Sequence, residues 1–64
     1  MDDAISELFE QVRRINKTCN MSSADREKVI KLGNMVKEAT GKKFRVTPCN
    51  KREIVMITKK YLGK

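Results

Sequence analysis

The sequence predicts a small all-α domain of three helices with a short extended connector before the last one. Apolar residues recur at helical spacing in successive runs, and residues that start and stop helices flank those runs. A length of 64 residues holds one domain at most. Each element can be justified in turn.

The first run is the clearest. Ile5, Leu8, Phe9, Val12 and Ile15 repeat at the i, i+3, i+4, i+7 spacing of one helix face, and Cys19 extends the row, so a helix is expected from Asp3 to about Lys17. Asp3, Glu7, Glu10 and Arg14 fall on the opposite face, with Glu10 four residues before Arg14 in the favourable order for an ion pair. Asp2, Asp3 and Glu7 lie near the start, where the helix dipole favours negative charge, and Arg13, Arg14 and Lys17 gather toward the end. Phe9 sits in the centre of the apolar stripe and is expected in the core rather than as a platform for stacking bases.

The second run begins at "NMSSADREK". Ser22 followed by Asp25 is a variant of the capping box, and the segment to Thr40 closes at Gly41, which suits the left-handed residue beyond a helix end. Val29, Leu32, Met35, Val36 and Ala39 form its stripe. Gly33, beside that stripe, costs about 1 kcal/mol relative to alanine in a helix and implies close packing against a neighbour. Ile30 points away, as the edge of a wider core or as an exposed contact. With Thr18 to Met21 as a short link, the first two helices should pair antiparallel.

The third run admits two readings. "GKKFRVTP" alternates polar and apolar residues, placing Phe44 and Val46 on one side of an extended stretch. Pro48 then suits a first helical turn after Thr47, and Asn50 with Glu53 offers another capping box. A helix from about Pro48 to Leu62, stopped by Gly63, would bury Ile54, Ile57, Thr58 and Tyr61 and carry Arg52, Val55 and Lys59 on an adjacent face. The alternative is an α+β arrangement, a helical hairpin followed by a β-hairpin that pairs "KFRVT" with "EIVMIT". No repeat, low-complexity tract or linker divides residues 1–64.

Charge narrows the function classes. The net charge is +7, and residues 42–64 hold eight Lys/Arg against Glu53 alone, whereas the first 41 residues balance. Such a patch draws polyanions, with an affinity that falls steeply as salt rises. The expected contacts are Lys42, Lys43, Arg45, Lys51, Arg52, Lys59 and Lys60, acting on DNA or RNA backbone with little regard to sequence. A helix-turn-helix is not expected, because about seven residues separate the second and third helices where that motif uses a turn of about three or four. Phe44 is the one aromatic left for base stacking.

No catalytic constellation is present. The chain lacks histidine, its glycines form no phosphate cradle, and Asp2 with Asp3 lies at a chain end where no fixed separation can be expected. An enzyme is therefore not expected. Two cysteines cannot complete a structural zinc site, so no metal or other cofactor is expected. Cys19 and Cys49 are expected as buried thiols, with a disulfide open to them only if the end of the first helix meets the start of the last.

The longest apolar run, Ile54 to Ile57, is far short of the roughly 20 residues of a membrane span. No secretory signal is visible in the acidic Met-Asp-Asp stretch, and an intracellular, cytoplasmic protein is the expectation. A second function class also fits the charge. The acidic first helix and basic C-terminal third could associate head to tail as a homo-oligomer, or the basic face could dock on an acidic protein. Such a chain would be an adaptor, an inhibitor or an assembly component. The connector "ATGKKFRVTPCN" and the basic amphipathic "KREIVMITKKYL" resemble the C-terminal ends of small phage-encoded proteins. That resemblance implies a context, a virion component or a small regulator of host machinery, and transfers no site residue.

Overall fold

The computed structural model describes residues 3–16 and 19–63. It contains helices α1 (Asp3–Arg13), α2 (Ser23–Thr40) and α3 (Lys51–Leu62), with a 3-10 turn over Pro48–Asn50 leading into α3. No strand occurs among the described residues, so the third run is helical and the β-hairpin alternative is overturned. The expected contributions of Asp2, Lys17 and Thr18 lie outside the described residues.

Helix α1 stops at Arg13, short of the expected Lys17. The Ile15 N–H turns back to the Val12 carbonyl (3.0 Å), which keeps Ile15 against the core after the helix has ended. Glu10 pairs with Arg13 at 3.2 Å, at i,i+3, where the sequence pointed to Arg14. Helix α2 begins and ends as its sequence demands. Ser22 Oγ accepts the Asp25 N–H at 3.3 Å, and Gly41 takes the left-handed conformation (φ 70°) with its N–H on the Lys37 carbonyl.

The start of α3 differs from expectation. Asn50 makes no side-chain cap; its amide instead donates to the Arg45 carbonyl at 2.8 Å and ties the connector to the helix. The 3-10 turn removes the need for that cap, because the Lys51 N–H already reaches the Pro48 carbonyl. At the other end Gly63 (φ 73°) closes α3 by donating to the Lys59 and Lys60 carbonyls.

Ile5, Phe9 and Val12 of α1, Val29, Leu32 and Val36 of α2, and Ile54 of α3 are buried around one core, with Met21 sealing the loop after α1. Ala39, expected in the α2 stripe, is exposed. The buried face of α3 is turned toward Val55 and Leu62, both packed on the core, so Tyr61 is 36% exposed rather than buried. Thr58 is fully buried and satisfies its hydroxyl on the Ile54 carbonyl (2.7 Å).

Neighbouring side chains give the topology. Leu8 and Gln11 share a groove with Ala24 and Lys28, while Ala4 reaches Met35, so α1 and α2 are antiparallel. Ile15 meets Lys51 and Phe9 meets Lys59 across a second groove, so α3 is also antiparallel to α1. Because α2 and α3 then share a sense, the chain must return along α2 before α3 can start. Residues 42–47 make that return outside any helix, with half-buried Phe44 and Val46 alternating with exposed Lys43, Arg45 and Thr47. Gly33 admits it: a Cβ there would lie 2.7 Å from Val46 Cγ1 and 3.1 Å from Ile54 Cδ1.

This topology brings the loop after α1 and the turn before α3 to one corner. Cys19 and Cys49 meet there, both exposed and joined in a disulfide with Cα atoms 4.5 Å apart. Free buried thiols are thereby corrected. The bridge needs α1 and α3 to be antiparallel, a relation that no local spacing encodes.

Candidate nucleic-acid interface

The seven cations expected to contact a polyanion are carried by two segments, the connector after α2 and helix α3. Lys42 and Lys43 follow the end of α2, where they line a depression with Lys37, Asn34 and Glu38. Arg45 is exposed on the connector, its backbone held by Asn50. Arg52 and Lys59 rise from α3 beside the α1–α3 groove, whose floor is Phe9, Ile15 and Val55. Lys60 is exposed farther round α3.

Lys51 is different in kind. It is half-buried, and its ammonium donates to the Ile15 carbonyl just beyond the end of α1. A cation near a helix C-terminus also complements the negative end of the helix dipole. Lys51 therefore clamps the end of α1 to α3 while it also lines the groove between them.

The groove gains a cation that sequence reasoning left out. Arg13 lines it from the α1 side, its guanidinium 5.9 Å from the centroid of the Phe9 ring and paired with Glu10. An exposed i,i+3 pair is worth a fraction of a kcal/mol, so this pairing does not prevent Arg13 from turning to a stronger anion. Its spacing of four from Phe9 placed it near the core stripe, but only the position of α3 makes it part of a cationic rim. Phe44, by contrast, packs on the core and is withdrawn as a stacking platform.

Among the described residues, the large hydrophobics that stand out at the surface are Ile30 at 36%, Tyr61 at 36% and Met56 at 54% exposure. Ile30 is thus exposed rather than the edge of a wider core. Among the described residues no three His, Cys, Asp or Glu side chains gather as a metal-binding group, and both cysteine sulfurs are engaged in the bridge. No described helix is long and apolar enough to cross a membrane. Every buried side-chain nitrogen and oxygen among the described residues has a hydrogen-bond partner, so no orphan polar group points into any groove.

Comparison with protein-family models, curated proteins and solved structures finds no match to this chain.

Proposed function

We propose that this chain is a non-enzymatic module that holds the backbone of a nucleic acid on the cationic surface of α3 and its groove with α1. The observation that carries the reading is the placement of Arg52 and Lys59 on one side of α3, opposite Arg13 across an apolar floor, with Lys60 on the same helix. Cations fixed on a helix lose little conformational freedom when they meet phosphates. The attraction itself comes from release of counterions and depends on salt. Lys42 and Lys43, beyond α2, extend the basic surface to a second contact zone.

Replacing Arg52, Lys59 and Lys60 together by alanine tests this. Fluorescence anisotropy against labelled duplex DNA and single-stranded RNA over a salt series should show weaker binding on every sequence, with the log–log salt slope flatter by roughly 2–3. Equal affinity of variant and parent would refute the assignment.

The disulfide bears on location. Disulfides persist in oxidising settings and on virion surfaces but are rare in a reducing cytosol. It therefore favours the virion-associated setting over the cytoplasmic one. A protein-docking role, as adaptor or assembly component, is the second reading, and the exposed Ile30 is the observation that favours it.

A further inference from the structure

We propose that the outward face of α3 lies in the major groove of duplex DNA, with Met56 against base edges and Arg52, Lys59 and Lys60 on the flanking phosphates. This rests on the nucleic-acid reading and narrows it to one kind of ligand and one non-electrostatic contact.

The geometry of α3 supports the choice. Ile54 and Thr58 are fully buried, and at about 100° per residue the side of the helix opposite them carries Arg52, Met56, Lys59 and Lys60. All four are exposed. Met56 stands four residues after Arg52 and three and four before the two lysines, so each cation is its neighbour on the helix surface. A polyanion held by these three must pass over Met56. At 54% exposure it is the most exposed of the large hydrophobics among the described residues and has no place in the core. Its unbranched, polarizable thioether adapts to irregular apolar surfaces such as a thymine methyl or a base edge.

Size and charge fit the same ligand. A 12-residue helix is roughly 18 Å long and 10–12 Å across, which matches a B-form major groove about 12 Å wide. The major groove of A-form RNA is deep and narrow and cannot admit it. Glu53, the single acidic residue of α3, borders this face. A carboxylate is repelled at the phosphates but can accept a hydrogen bond from the cytosine amino group at the groove floor.

The test compares a labelled DNA duplex with an RNA duplex of the same sequence, using the parent chain, Met56→Ala and Met56→Leu. The exposed position lets both variants fold, which circular dichroism verifies. The expected result is tighter binding to DNA than to RNA, a loss of about 5-fold on DNA for Met56→Ala with unchanged salt slope, and recovery with Met56→Leu. Equal binding of DNA and RNA, or no effect of Met56→Ala, would overturn the groove assignment while leaving phosphate contact intact. A parent chain that binds no nucleic acid at low salt, or that prefers polyglutamate to DNA, would overturn both.

Discussion

At the scale of single residues, cations that look equivalent in the sequence have different work. Lys51 gives its ammonium to the Ile15 carbonyl, whereas Arg52, one position later, is exposed at the groove rim. A hydrogen bond to a charged group contributes about 1.5–3 kcal/mol, and partial exposure places Lys51 near the lower end. Lys51→Ala is therefore expected to destabilise the fold by about 1–2 kcal/mol in urea unfolding, against less than about 0.5 kcal/mol for Arg52→Ala. Equal midpoints for the two variants would show that Lys51 does not clamp the two helices. The chemical type of each candidate was plain from the sequence. The carbonyl 36 positions away that captures Lys51 was not, because it lies in the loop beyond another helix.

Elements show the same division. Helix α2 was legible because its limits are set locally: Ser22 bonds the N–H three residues on, and Gly41 adopts the left-handed turn. The beginning of α3 was misread where a local motif met a tertiary competitor, with Asn50 spending its amide on the connector. Gly33 tests how tightly the connector is held. Alanine would add about 1 kcal/mol of helix propensity, but its Cβ would press on Val46, a β-branched side chain with little rotamer freedom, and on Ile54. Overpacking of this kind costs typically 1–3 kcal/mol, so Gly33→Ala should destabilise by about 1 kcal/mol net. A higher melting temperature for Gly33→Ala would mean that the connector yields and that the close approach is not required.

For the whole molecule, the disulfide is the largest single constraint. Closing a loop over a separation of 30 residues stabilises by about 3.5 kcal/mol in the chain-entropy model, comparable with the roughly 3–5 kcal/mol that a domain of this size retains. Reduction with dithiothreitol, or Cys19→Ser with Cys49→Ser, is expected to lower the melting temperature by more than about 10 °C. An unchanged melting temperature would show that packing and the Lys51 clamp hold the corner without the bridge. The sequence by itself determined three helices, the cap of α2, the glycine stops of α2 and α3, most of the core, and the concentration of positive charge in residues 42–64. These follow from interactions within a few residues along the chain, which spacing and residue type record. Tertiary structure alone decided that the cysteines bridge, that Arg13 joins the rim while Lys51 bonds the Ile15 carbonyl, that Tyr61 is exposed, and that Met56 lies among cations on an outer face. Each depends on α3 running antiparallel to α1 and on how far α3 is rotated about its axis, and both are set by packing among all three helices and the returning connector.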